Sequence, residues 1–401
     1  MSIEATAKSA KPGIVLFAYG FRCFFLLAGL YAILPMAMLY WAMTSGRWPA
    51  DALPLFVWHG HEMLFGFVAA AIAGFLLTAV PTWTNTKAVA GMPLILLVLL
   101  WLAGRVVSLP WVPTTSVLVQ AVGLAFFPAL AVVVSIPLIR TKNYRNLPFV
   151  LLLAILFLAE IAFHARYAGW LEGQIPDGVR LVINTVMLMI VIVGGRIIPA
   201  FTRNALRAMG RNATMRDQPA IDLAAIFSVI AVLLGDLFAI DSTTTGVLAA
   251  LSAGFLLIRL TGWGGLRTLD VPLLWVLHLG TGWLIFALTL KSLWLLVGFG
   301  WAINWMHAFT AGVFGTMILG VMTRVALGHT GRILEVSWAV VVSYVLVSAA
   351  ALIRIFGPWF AQNAYIQILT VAIAAWIGAF LIFSMVYIPV LLKPRPDGKA
   401  G

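Results

Sequence analysis

Apolar stretches of about twenty residues follow one another along almost the whole chain, and this feature limits the possible folds more than any other. A helix that crosses a membrane needs about 20 mostly apolar residues. The chain is 63% hydrophobic and only 9% charged, whereas a soluble domain carries roughly 25% charged residues. We therefore predict an all-α integral membrane protein, a single polytopic domain over residues 1–401 with about twelve transmembrane helices. The predicted spans are 16–43, 58–80, 91–109, 115–139, 147–168, 178–199, 219–239, 244–262, 271–290, 300–324, 335–356 and 364–391.

The basic residues divide unequally between the two sides of the membrane. With a cytoplasmic N-terminus, the inside segments hold eighteen Lys and Arg and the outside segments six, with Arg22 near the start of the first helix. Cytoplasmic loops carry an excess of Lys and Arg, so this division predicts that both termini are cytoplasmic. It also explains the net charge of +12 without a nucleic-acid partner, because no basic run is interleaved with aromatic residues. Lys8 and Lys11 precede a first span that lacks a small-residue cleavage site, so we expect no cleaved signal peptide.

The second predicted helix opens with an unusual group of polar residues, Trp58-His59-Gly60-His61-Glu62-Met63. On an α-helix, His59 shares a face with Glu62 and Met63, while His61 lies about 200° away. Imidazole binds haem iron and copper, and a thioether suits soft copper. One helix is therefore expected to present His59 to one partner and His61 to another. The alternative is that both histidines bond to lipid headgroups or loops.

Three further histidines lie in or beside apolar spans, at His278, His307 and His329. An ionisable residue inside a membrane is costly and suggests function, although a neutral His bonded to a backbone carbonyl remains the alternative. His307 and His329 are 22 residues apart, which is about 33 Å along a helix, so one metal cannot bind both unless the helix breaks. We expect His59, His61 and His307 near the outer face, and His278 and His329 nearer the inner face.

Basic residues on the inner side are candidates for holding an anionic cofactor group. Arg196 and Arg203 flank Pro199 at the end of the sixth span, and Thr330 and Arg332 follow His329 in a glycine-bracketed turn. Guanidinium groups pair well with carboxylates such as haem propionates. The alternative is plain positive-inside anchoring.

The remaining reactive residues are given structural roles. His164 has no companion motif and is predicted to be structural, with Glu160 one turn earlier giving only weak support for an outer proton route. Cys23 is the single cysteine, so it forms no internal disulfide and is predicted to be a small buried residue.

At these positions the chain resembles the NnrS family of bacterial membrane proteins. Two residues depart from the family pattern: Cys23 stands where proline is usual, and Thr281 follows the Leu-His-Leu-Gly motif where an aromatic is commoner. The matching pieces are Phe21-Arg22, Phe24-Phe25, Trp58-His59, His61 to Gly66, Gly74 to Thr78, Gly194 to Arg196, Pro199, Phe201-Thr202, Asn204, Leu277 to Gly280, His307 and Gly328 to Arg332.

The resemblance implies a multi-pass protein of the bacterial inner membrane that binds haem, expected to be b-type, and copper. It implies a role in nitric oxide metabolism or defence, with nitric oxide and membrane lipid as partners and an electron donor that the sequence does not identify. The metal-ligand candidates it implies are His59, His61, His278, His307 and His329.

We therefore expect NO binding at a His-ligated metal, with NO reduction as an open further activity of an oxidoreductase resembling NO reductase. The main alternative is a transporter for a small molecule or ion, lined by His and Arg and without a redox cofactor. That alternative predicts polar residues spread along several helices at mid-depth, whereas here they collect at helix ends. A haem-copper oxidase subunit is disfavoured, because the chain has no adjacent His-His pair and no His-x-x-x-Tyr.

Overall fold

All the regular structure in the described part of the chain is helical, in agreement with the predicted fold class. The computed structural model describes residues 15–112, 117–168 and 177–398, without the side chains of 117–119 and 168. Lys8 and Lys11, which enter the orientation prediction, lie outside the described residues. The helices are α1 Gly20–Ser45, α2 Leu55–Thr84, α3 Met92–Val107, α4 Gln120–Arg140, α5 Tyr144–Tyr167, α6 Gly178–Ala208, α7 Pro219–Leu237, α8 Ser242–Thr261, α9 Pro272–Val297, α10 Gly300–His329, α11 Trp338–Phe360 and α12 Gln362–Leu392.

Each predicted span overlaps one of these helices. Within the described part of the chain, eleven helices are long and apolar enough to cross a membrane. Helix α3 is also apolar but has only 16 residues. The largest difference is at α6, which continues through Pro199 as far as Ala208. The prediction that the sixth span ends at Pro199 is therefore wrong.

The first span is broken rather than continuous. It consists of Gly20–Tyr31 and Leu34–Ser45, with Pro35 in the first turn of the second piece. Proline donates no backbone hydrogen bond and disturbs the helix before it, so carbonyls near the break lose their helical partners. The indole Nε1 of Trp376 in α12 donates to the carbonyl of Ala32 at 2.9 Å. The break is thus stabilised by a side chain from a neighbouring helix.

Consecutive helices alternate in direction, so their ends lie on two opposite faces. We name these the His59 face and the His329 face. On the first, Trp58 at the start of α2 donates to the Ser108 carbonyl after α3 at 2.8 Å. On the second, Arg395 after α12 donates to the His329 carbonyl at the end of α10 at 3.0 Å. In the predicted orientation the His59 face is the outer one.

The centre of the molecule is formed by α1, which packs against α2, α10 and α12. Helix α2 also packs against α4, while α9 packs against α6, α8 and α10. This arrangement brings the two helices that carry His59, His61 and His307 to the same region of the bundle.

Candidate metal and cofactor sites

Two of the helices that bear predicted ligands widen into π-helix, and in both cases the wide segment begins directly after a histidine. Glu62–Val68 follows His61 in α2, and Ala308–Phe314 follows His307 in α10. A π-helix is rare and occurs often at functional sites, because the i→i+5 bonding changes the direction of nearby side chains. The local backbone therefore sets these histidines apart.

His59 and His307 line the same cavity near the His59 face. It has a volume of about 260 Å³ and lies between α1, α2, α10, α11 and α12. Phe56 and Tyr365 on its lining are exposed, so the cavity opens to the surroundings of the protein. The lining residues are Met36, Leu39, Phe56, His59, Met63, Leu64, Phe67, Val68, His307, Thr310, Ala311, Phe314, Ala350, Arg354, Tyr365, Leu369, Ala372, Ile373 and Trp376.

The polar groups of this cavity are few and specific. His59 Nδ1 is buried and has no hydrogen-bond partner. Arg354 is close enough to interact electrostatically with both histidines, and its guanidinium donates to Asn304 Oδ1 at 3.2 Å. Met63 lies on the same lining, as expected from its spacing to His59. An apolar cavity with two imidazoles and one cation is suited to a ligand that contains a metal and an anionic group.

Glu62 does not share the cavity with His59, so the expectation that the two share a face is wrong. Its carboxylate, which is completely buried, accepts hydrogen bonds from His61 Nδ1 at 2.6 Å and from Arg105 at 2.8 Å, both at Oε1. Tyr31 donates to Oε2. Because the π-helix begins at Glu62, the α-helical spacing no longer fixes the direction of this side chain. Glu62 therefore positions His61.

His61 faces a second group of ligands on α5. Its ring, the Glu160 carboxylate and the His164 ring offer ligand atoms that all lie within 4.8 Å of one another, the only such group of three among the described His, Cys, Asp and Glu residues. The His61 and His164 ring centroids are 5.2 Å apart. The prediction that two neighbouring histidines of α2 serve different partners agrees with this placement. The prediction that His164 has no companions and is purely structural does not agree with its position beside His61 and Glu160.

His278 lies on the other side of the molecule, between α9 and α6. Its Nε2 is 3.0 Å from the Thr202 hydroxyl, while its Nδ1 is buried without a partner. The ring is packed so closely against Gly265 that a Cβ there would lie 2.6 Å from Nδ1. The structural alternative for this residue was a bond to a backbone carbonyl, whereas its partner here is the side-chain hydroxyl of Thr202.

His329 and the turn after it form a separate group on the His329 face. The His329 ring centroid is 5.7 Å from that of Phe21. The Thr330 hydroxyl donates to the Ala326 carbonyl at 2.6 Å, and Arg332 is close enough to interact electrostatically with Arg22. Among the described residues no contact joins His278 to His329, so the structure does not bring this predicted inner pair together.

The two arginines of α6 lie on a continuous helix rather than at its end. Arg196 donates to Asn146 Oδ1 at 2.6 Å, which leaves part of its guanidinium for another acceptor. Arg203 is exposed on the His329 face. Neither lines the cavity of His59 and His307. Their proposed role toward an anionic group stays a prediction.

Sequence reasoning missed Arg354 and underrated Glu160 and His164. The sequence did contain a signal for Glu160 and His164, since the two are four residues apart and share a helix face. The missing information was that His61 of α2 lies opposite them. Arg354 is near the end of a span, where arginine is common for orientation alone, so its direction toward the cavity could not be read from its position.

A family model described as NnrS protein matches residues 15–395, which is nearly the whole chain. The comparison with curated proteins gives no match.

Proposed function

We propose that this chain, which belongs to the NnrS family, is a haem- and copper-binding protein of the bacterial inner membrane that binds nitric oxide. Membership of the family implies a membrane protein of nitric oxide-related processes, and the eleven apolar helices agree with a multi-pass protein. The haem, the copper and the direct action on nitric oxide are the proposed part. The observation that carries the proposal is the cavity shared by His59 and His307.

The residues of this cavity fit a haem. Axial ligands to haem iron in proteins are most often histidines, and the surrounding pocket is otherwise apolar. Here His59 Nδ1 is buried without a partner, and His307 lines the same cavity from α10. The volume of about 260 Å³ lies just below the ~300–1,000 Å³ typical of small-ligand sites. The cavity is not closed, since Phe56 and Tyr365 on its lining are exposed, so this volume alone does not limit the size of the ligand.

In this assignment His59 and His307 would hold the iron, with one of the two positions displaceable by NO, and Arg354 would bind the propionates. A guanidinium forms charge-assisted hydrogen bonds to carboxylates, and Arg354 lies close to both histidines. When bound, the haem would supply a reduced iron that takes up NO. The apolar side chains around it exclude water, which keeps the histidines available as neutral ligands.

Nitric oxide would reach this cavity through the lipid. A second cavity of about 100 Å³ is lined almost entirely by apolar side chains of α2, α6, α9 and α10, and Val68 lines both cavities. NO is a small apolar molecule that partitions into lipid, so an apolar groove open to the membrane is a suitable route. Reduction of NO would be a further step, and it would need an external electron donor.

The test is an absorption spectrum of the protein purified in detergent from haem-replete cells, oxidised and reduced, with haem quantified per chain. We expect a Soret band that shifts when NO is added to the reduced protein. His59→Ala and His307→Ala should each lower haem content at least about tenfold, because each removes a candidate ligand.

The control is Glu335→Gln, which changes an exposed carboxylate on the His329 face that does not line the cavity. It should keep haem and the NO-induced shift. A colourless, iron-free wild-type preparation would contradict the proposal. So would haem content in His59→Ala and His307→Ala equal to that of the control.

A further inference from the structure

We infer that His61, Glu160 and His164 form a metal site separate from the cavity of His59 and His307. Three buried atoms without hydrogen-bond partners meet here, namely His61 Nε2, Glu160 Oε2 and His164 Nε2. Buried polar atoms are almost always hydrogen-bonded, and an unsatisfied one costs roughly 1–3 kcal/mol. Each of the three residues also offers a ligand atom within 4.8 Å of those of the other two, so one bound cation would explain the three unsatisfied atoms together.

The state of His61 is set by Glu62. Because a carboxylate only accepts hydrogen bonds, the contact from His61 Nδ1 to Glu62 Oε1 at 2.6 Å places the proton on Nδ1. The Nε2 lone pair, which is buried without a hydrogen-bond partner, is then free to bind a cation. Metal-binding histidines commonly donate their second ring N–H to a carboxylate in this way, which fixes the ring and increases its basicity.

Glu62 is itself held by two further donors. Arg105 and Tyr31 both donate to it, so the carboxylate cannot turn away from His61. Its role is therefore to position a ligand, not to bind the metal. The His61 ring is also packed against Phe65 and Phe163, with ring centroids 4.9 and 4.8 Å away, and this packing restricts its rotation.

The charges around the site favour a cation. Two buried carboxyl groups, Glu62 and Glu160, lie near a single buried guanidinium, that of Arg105. Arg105 bonds directly to Glu62, which leaves the Glu160 carboxylate without a direct partner. A buried charge without a partner costs several kcal/mol. A divalent cation bound by Glu160 removes that cost.

The geometry is close to that of a bound site. Two atoms that bind one ion at ~2.1 Å can be at most about 4.2 Å apart, so separations of up to 4.8 Å close by small side-chain rotations. A cavity of about 30 Å³ touches both His61 and His164 and is lined also by Trp58 and Ser108. One water molecule needs roughly 10–15 Å³. The site therefore has space for a water or another small ligand on the metal.

Two imidazoles and one carboxylate with an open position are suited to a divalent first-row transition metal. The inference of a metal site depends only on this geometry. The expectation that the bound metal is copper rests on the proposed function. His59 and His61 are two residues apart on α2, so the haem cavity and this site would be neighbours near the His59 face.

The experiment uses Cu(II) as the probe on full-length protein that has been purified in detergent and stripped with a chelator. Cu(II) binding is measured by titration, and the ligands are identified by electron paramagnetic resonance. We expect wild-type protein to show superhyperfine coupling from two imidazole nitrogens. Glu62→Gln changes a residue that positions a ligand and should weaken Cu(II) binding about 10–100-fold. His164→Ala and Glu160→Gln remove ligands and should weaken Cu(II) binding further.

Glu335→Gln, an exposed carboxylate on the His329 face, and His59→Ala are the matched controls, and both should retain this signal. Fewer than two coupled nitrogens in wild-type protein would overturn the inference, whether or not the variants fold. Equal affinities in wild type, His164→Ala and Glu160→Gln would overturn it as well. Haem content and the copper signal are measured on the same His59→Ala protein: unchanged haem with the copper signal intact contradicts only the haem proposal, and lost haem with no copper signal in wild type contradicts only this site.

Discussion

Replacing Arg105 with methionine tests the buried ion network that positions His61. Arg105 and Glu62 are 6% and 0% exposed, and they form a hydrogen-bonded ion pair at 2.8 Å. Methionine keeps an unbranched side chain of moderate length but removes the charge. The Glu62 carboxylate would then remain buried without its cation.

Removing one partner of a buried ion pair typically costs ~3–5 kcal/mol. Here Glu62 would keep the hydrogen bonds from Tyr31 and His61, which reduces the loss. We therefore expect Arg105→Met to lower the free energy of unfolding by about 3 kcal/mol, at the lower end of that range. The double variant Glu62→Gln/Arg105→Met should be no less stable than Arg105→Met alone, because it leaves no isolated charge in this pair.

The assay is reversible unfolding of the detergent-solubilised protein in mixed micelles with increasing SDS, followed by circular dichroism. All four proteins of the cycle are compared in the same micelles. A cost for Arg105→Met within ~0.5 kcal/mol of zero, as for an ordinary surface change, would refute the reasoning. Additive losses in the double variant would also refute it, because they would mean that the two groups do not interact.

Three further predictions concern the rest of the bundle. Trp376→Phe removes the N–H that donates to the Ala32 carbonyl at the break in α1, so it should cost about 1–3 kcal/mol in the same unfolding assay, and an unchanged midpoint would contradict it. Lys291→Met leaves the buried Asp236 carboxylate without its ion-pair partner and should cost ~3–5 kcal/mol, whereas a stability equal to wild type would mean that the pair is not buried in the membrane. Because basic residues collect on the His329 face, a green fluorescent protein fused to the C-terminus should be fluorescent and an alkaline phosphatase fused there inactive; the reverse result would invert the orientation.

Much of the fold could be predicted from the sequence, because in a membrane each apolar segment of sufficient length has only one structure that satisfies its backbone. The breaks inside spans were harder to predict. The predicted span 16–43 runs through Pro35, although a proline inside a helix removes a backbone hydrogen bond and often breaks the helix, so this signal for the division of α1 at Ala32 was overlooked. Pro199 led to the opposite error, since α6 continues through it to Ala208.

The candidate site could be predicted only in part. Histidine in an apolar helix is uncommon enough that His59, His61 and His307 stood out from the sequence. Their grouping depends on which helices are neighbours and on the direction of each ring, and neither follows from spacing along one helix. Glu160 and His164 were undervalued for this reason, since their importance comes from His61 on a different helix.

The π-helical segments have a consequence for how such sites can change over evolutionary time. A π-helical turn contains more residues than an α-helical turn. The side chains before it therefore do not continue the α-helical spacing of the side chains after it. In α2 the part after Val68 keeps its packing face toward α1 and α4, while the histidines before Glu62 follow a different phase. The gain or loss of a single residue within Glu62–Val68 would therefore turn His59 and His61 by about 100° while the remainder of the helix stayed in place. In this chain, ligand direction and helix packing can vary separately, through insertions and deletions as well as through substitutions.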